Sequence, residues 1–225
     1  NPDLQDYLAR RTAQLGRTEL VYIDDIYDEY SEGLYTPQAI KDLLLTMPQP
    51  PQYLLLVGDA SYDTRNLYGL GGNLVPAQYV QTMAYGVVAS DFWYSLLDDD
   101  LIPDLAVGRL SSRSHEELSA YLQKLTEYET NPESGKWRDS HLFVTGTGGV
   151  ENTTFLAKSE QIIALIPDNL FIERLATDPI SSPFYGGTTD LIDFFDAGAL
   201  IVNYNGHGAG AVWSDNSLFR IEDLP

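Results

Sequence analysis

A histidine between two glycines, Gly206-His207-Gly208, directly follows the apolar run Ala199 to Asn203. Glycines on both sides let the backbone turn and approach a ligand, and they leave the imidazole uncrowded. That context suits a general base, with the Gly208 amide free to donate to an oxyanion. The same residues also read as a tight turn whose histidine is incidental. His115 and His141 fall in the first turn of a helix and at the start of a strand, and read as structural or solvated.

A second concentration of chemistry is acidic. Asp98-Asp99-Asp100, with Asp104 shortly after, gathers hard oxygen donors in a loop ahead of a strand. Calcium takes about 6–8 oxygens, some of them backbone carbonyls, so the spacing reads equally as a calcium loop or a solvated acidic turn. It lacks the ligand spacing of an EF-hand. Asp59 lies near this loop if its strand and the one after Asp104 are neighbours.

Two glycine-rich stretches, Gly146-Thr147-Gly148-Gly149 and Gly206 to Gly210, also follow strands. Neither has the G-x-G-x-x-G spacing at the mouth of a helix that a dinucleotide needs. A serine nucleophile fares no better: there is no G-x-S-x-G elbow, and Ser214 and Asp215 stand too close to His207 in sequence to suggest a triad.

The elements that must position these residues alternate in type. Apolar runs predict strands at Leu20 to Ile23, Tyr53 to Val57, Leu105 to Val107, Leu142 to Val144, Leu170 to Ile172 and Ala199 to Asn203. Between them, Thr36-Pro37 opens a helix to about Met47. Ser114 and Glu117 make a capping box before Leu118, Tyr121, Leu122, Leu125 and Tyr128, which recur on one face. Further helices are predicted over Asn152 to Ile166 and Thr189 to Phe195, and Thr64 to Ser90 reads as a long loop. This is the α/β pattern of a mainly parallel sheet. The polar breaker Asn131 to Gly135 marks a seam, giving an N-terminal half over residues 1–133 and a second over 134–225. Ligands of parallel sheets sit beyond the strands' carboxyl ends. Those positions hold Gly58-Asp59, Gly108-Arg109, Thr145 to Gly149 and Tyr204 to Gly208.

Composition narrows the partners. With 33 acids against 13 bases the net charge is −20, which argues against nucleic acid or an anionic membrane. The chain contains no cysteine, so disulfides, thiolate metal sites and thiol nucleophiles are excluded from these 225 residues. No apolar run approaches the ~18 residues of a membrane span. The opening Asn1-Pro2-Asp3 carries no signal-peptide pattern, consistent with a mature form or a piece of something longer.

Taken in order, Tyr53 to Asp59, Ser90-Asp91, Asp104 to Leu110, and Ile201 to Gly208 with Trp213 downstream resemble the gingipain-like cysteine peptidases, family C25 of the caspase-like clan. The resemblance implies a caspase/gingipain-like α/β fold of two abutting subdomains, incomplete at both ends. It implies that His207 belongs to a His-Cys dyad with the Gly208 amide in the oxyanion hole, and that the Cys lies on the following strand, beyond Pro225. It further implies structural calcium held by Asp59, Asp100 and Asp104 with the carbonyls of Leu97 and Ile102. The acid that orients the histidine in arginine-specific members falls near Thr147, with Glu151 a candidate by proximity. Their Arg-selecting acid falls near Leu156, so that specificity does not transfer. The expected protein is a secreted or cell-surface endopeptidase acting on peptide or protein, its site completed by the rest of the parent polypeptide. The alternatives are a non-catalytic calcium-binding scaffold and a transpeptidase that processes C-terminal secretion signals.

Overall fold

The structure is a computed structural model that describes residues 1–69, 71–83, 86–147, 153–179 and 183–224. The chain divides into two compact units, Asn1–Pro132 and Glu133–Pro225.

The first unit opens with three helices, α1 (Pro2–Leu15), α2 (Ile23–Ser31) and α3 (Pro37–Thr46). Thr36 caps α3 by accepting from the Gln38 amide, with Pro37 at the first helical position. Then come β1 (Tyr53–Val57), a hairpin of β2 (Gln78–Thr82) and β3 (Gly86–Ser90), β4 (Ala106–Leu110) and α4 (His115–Thr130). β1 and β4 pair in parallel from Tyr53↔Ala106 to Val57↔Leu110. Successive residues of a strand face opposite ways. Leu54 and Leu56 of β1 therefore join Ile26, Tyr27, Ala39 and Ile40 of α2 and α3, while Val57 joins Leu118 and Leu122 of α4.

The second unit runs β5 (Ser140–Thr145), α5 (Thr153–Ile163), β6 (Phe171–Ala176), α6 (Thr188–Ala197) and β7 (Ile201–Asn205). Its sheet is parallel in the order β6-β5-β7. The central β5 is buried from His141 to Thr145, as expected of a parallel strand covered on both faces. Leu142, Val144, Leu175 and Leu191 form the core with Leu218. Fully burying a Leu or Val side chain stabilises by about 1.5–3 kcal/mol. After β7 come three short antiparallel strands, β8 (Gly208–Ala209), β9 (Val212–Trp213) and β10 (Phe219–Arg220).

Several expectations are corrected. Leu20 to Ile23 is no strand: residues 17–22 join no β-ladder among the described residues, and Ile23 begins α2. Tyr22 is 64% exposed there, and Asp24 and Asp25 in the first turn favour a helix N-terminus over continued extension. The long loop from Thr64 contains the β2-β3 hairpin. The capping box is half formed: Ser114 Oγ accepts from the Glu117 amide, whereas the Glu117 carboxylate accepts from the amide of Arg113 rather than Ser114.

Candidate functional site

His207 stands two residues beyond β7, where the chain leaves the parallel sheet and enters the β8-β9 hairpin. Its carbonyl accepts from the Ser214 amide at 2.8 Å and from the Tyr204 hydroxyl. The exposed imidazole packs edge-to-face with the Phe155 ring on α5, centroids 5.1 Å apart and planes at 86°. Among the described residues no side chain hydrogen-bonds it.

The hairpin explains what Gly208 can do. Gly208 pairs with Trp213 and Ala209 with Val212, and the Ser214-to-His207 bond makes the neighbouring pair a hydrogen-bonded one. Antiparallel pairs alternate, so Gly208 occupies the non-bonded position and its N–H points away from β9. β8 is the edge of its three-stranded sheet, which leaves that N–H facing no strand among the described residues.

Close approach, rather than a left-handed backbone, demands glycine here. A Cβ on Gly206 would lie 2.5 Å from Tyr204 Oη and 3.0 Å from the Gly146 Cα, and one on Gly146 would lie 2.7 Å from Tyr204 Oη. At Gly208 the nearest atom to such a Cβ is the Val212 carbonyl oxygen, at 3.4 Å. The Tyr204 ring that occupies this space stacks on Trp213, centroids 4.7 Å apart at 17°. Burial holds its phenol above the ordinary value, against hydrogen bonding to Ser214 that pulls it down. Ser214 is itself buried, at a left-handed φ of 67°, and its Oγ meets the amide and hydroxyl of Thr147 at 3.2 and 3.3 Å. Thr147 is thus engaged with Ser214. Gly148, Gly149 and Glu151 lie outside the described residues.

Along β7 an open groove of about 550 Å³ separates Lys158, Gln161 and Ile162 from Asn203, Tyr204 and Asn205. The far side of β7 carries no strand among the described residues, and the buried Asn203 Oδ1 has no hydrogen-bond partner.

In the first unit, the pairing of β1 with β4 brings Gly58-Asp59 beside Ser112 and Arg113. The Asp59 amide donates to the Ser112 carbonyl at 3.0 Å, and Asp59 Oδ2 accepts from Arg113 Nε at 2.7 Å. That bond raises the Arg113 pKa. The acidic loop closes on itself: Asp104 Oδ2 accepts from the Leu97 amide and Asp100 Oδ1 from the Ile102 amide, each at 2.7 Å. Lys41 lies near Asp104 and Asp99. Burial lowers its pKa, and the two carboxylates partly oppose the shift. The donor set of Asp59, Asp100, Asp104 and the carbonyls of Leu97 and Ile102 has the hard-oxygen chemistry of calcium. Its geometry is not gathered: among the described residues no three His, Cys, Asp or Glu side chains cluster to hold a metal.

Residue spacing gave no sign of Phe155 or Arg113, and it offered Ser214 only as a poorly spaced nucleophile. Tyr204 had one signal, its place at a strand end beyond which ligands gather, and so did Arg109. Arg109 turns inward instead, gripping Asp91 and the carbonyls of Gly58 and Val75.

The model of peptidase family C25 matches residues 1–225. Gingipain R2 of Porphyromonas gingivalis is 24% identical over 216 residues, covering 94% of this chain and 26% of that protein. Lys-gingipain of the same organism is 24% identical over 208 residues, covering 92% of this chain and 10% of that protein. An uncharacterized Archaeoglobus fulgidus protein is 28% identical over 133 residues, 56% of this chain and 32% of its own length. Among solved structures, the complex of Porphyromonas gingivalis RgpB pro- and mature domains superposes with a TM-score of 0.66 at 19% identity, over 97% of this chain and 48% of that one. The mixed α/β architecture with parallel sheets is the fold they share. The chain thus spans about a quarter of Gingipain R2.

Proposed function

The chain belongs to peptidase family C25, and from that premise we propose that it is the His-bearing part of a calcium-stabilised cysteine endopeptidase domain. The observation that supports this best is the placement of His207. It stands exposed at the carboxyl end of a parallel strand, beside a Gly208 amide that points away from its hairpin.

In this reading a cysteine thiol gives its proton to the His207 imidazole, and the thiolate attacks the scissile carbonyl carbon. The Gly208 N–H donates to the oxygen as it gains charge. The imidazolium returns the proton to the leaving amine as the C–N bond breaks, and water hydrolyses the acyl-enzyme with His207 as base. The cysteine comes from the parent polypeptide, on a strand that lies along the free side of β7. The groove there and the unpartnered Asn203 Oδ1 support that position. Calcium would be held by Asp59, Asp100 and Asp104 with the carbonyls of Leu97 and Ile102, which requires Asp59 to leave Arg113. The substrate is peptide or protein and the location is secreted or cell-surface. No helix among the described residues is long and apolar enough to cross a membrane.

The test is peptidase assay of the full-length polypeptide. Thiol alkylation and His207→Ala should each abolish turnover, the latter by on the order of 10²–10⁴-fold. Activity that survives either treatment, or a parent sequence with no Cys on the strand after Pro225, overturns the reading.

A further inference from the structure

A general base must hold its ring where the proton is transferred, and two devices fix His207. The first acts on the backbone. The His207 carbonyl is clamped by two donors, the Ser214 amide and the Tyr204 hydroxyl. Both are held in turn, Tyr204 by stacking on Trp213 and Ser214 through its Oγ at Thr147. This clamp sets where the side chain begins and leaves the ring free to rotate.

The second device acts on the ring. The contact with Phe155 is close to perpendicular, the arrangement that aromatic quadrupoles prefer. The Phe155 backbone is tied to the end of the strand that leads to His207, since Asn205 Nδ2 donates to the Phe155 carbonyl at 3.2 Å. Residue 155 is therefore registered against β7 by a polar link as well as by the ring contact. Thr147, where the resemblance places an orienting acid, is engaged with Ser214.

We propose that Phe155 is a positioning residue for His207, orienting the imidazole by an edge-to-face contact. The inference rests on His207 being the general base. A contact of this kind favours one side-chain rotamer by roughly 2- to 10-fold.

The test compares Phe155→Leu and Phe155→Tyr in the full-length enzyme, with His207→Asn as reference. Phe155→Leu should lower kcat roughly 3- to 10-fold with KM unchanged, because orientation matters to the transition state and not to substrate capture. Phe155→Tyr keeps the ring and should restore kcat. The His207 ring-proton resonances, identified by their loss in His207→Asn, should lose their ring-current shift in the leucine variant and keep it in the tyrosine variant. Equal kcat per folded molecule in wild type and Phe155→Leu overturns the inference, as do unmoved His207 resonances. Full activity in His207→Asn overturns the underlying reading instead, so the two failures are distinct.

Discussion

Arg109 grips Asp91 through two parallel hydrogen bonds, Nε to Oδ2 and Nη2 to Oδ1, each 2.7 Å long. The same guanidinium donates from Nη1 to the carbonyls of Gly58 and Val75, both at 2.7 Å. One side chain thus ties β4, the end of β1 and both flanks of the hairpin together, and it is only 10% exposed. Removing Arg109 leaves a partly exposed Asp91 without its partner and the Gly58 and Val75 carbonyls without their donor. Arg109→Ala should cost about 1–3 kcal/mol in urea unfolding. Arg109→Lys should fall between that and wild type, since an ammonium cannot reproduce the fork. A loss within ~0.5 kcal/mol, the ordinary range of a surface substitution, would contradict this account.

The two glycines around His207 should respond differently to alanine. Gly206→Ala drives a methyl against Tyr204 and Gly146 backbone, so Tyr204 must move and its bond to the His207 carbonyl with it. We expect a loss of about 1–3 kcal/mol, typical of overpacking, together with reduced turnover. Gly208→Ala meets a single oxygen at 3.4 Å and should leave stability near wild type. Thermal unfolding of both variants checks the order, and an equal effect would contradict it.

Calcium should stabilise the fold. A ligand bound only by the native state at a hundred times its Kd contributes about 2.7 kcal/mol, so chelation should lower Tm. Asp59→Asn should remove that dependence. Arg113→Gln should enlarge it, because the competing guanidinium on Asp59 Oδ2 is gone. A Tm indifferent to chelator would count against Asp59, Asp100 and Asp104 as ligands.

Stability should fall in alkali. Burial raises the Tyr94 phenol above its ordinary 10.0, and its hydroxyl donates to the Pro76 carbonyl. The unfolded chain ionises near 10 while the folded chain stays protonated. This contribution is therefore fully present below pH 10 and is lost as pH rises above it, by about 1.4 kcal/mol per pH unit for one such group. Tyr94→Phe should lose about 1 kcal/mol at neutral pH with its hydrogen bond, and should show a shallower alkaline slope. Urea midpoints from pH 8 to 11 measure both, and identical slopes would contradict the assignment.

The architecture was legible where local chemistry and tertiary demand agree. β5 is an apolar run because both its faces are covered, and α3 announces itself by Thr36-Pro37. The hairpin was not legible: Gln78 to Thr82 alternates no clear polar and apolar face, and its strands are held by each other and its flanks by Arg109. The location of His207 followed from its strand. Its neighbours did not, since Phe155 reaches it from another element and the left-handed Ser214 leaves no mark in composition. Asp59 shows the limit most clearly. The neighbouring of β1 and β4, on which its approach to the acidic loop depended, is present, yet its carboxylate turns to Arg113. Backbone pairing fixes where a residue is, and a long flexible cation elsewhere decides where its charge is spent.

The bare rim of β7 carries a liability as well as an opportunity. Leu200, Ile201 and Val202 are 42%, 50% and 39% exposed on a strand whose outer side pairs with no other strand among the described residues, which is a template for pairing with an extended chain. In the proposed function, a segment that delivered the thiol along β7 would also cover this template. Chemical competence and resistance to aggregation would then arrive in the same folding event, and a polypeptide halted before it would be sticky and inert together.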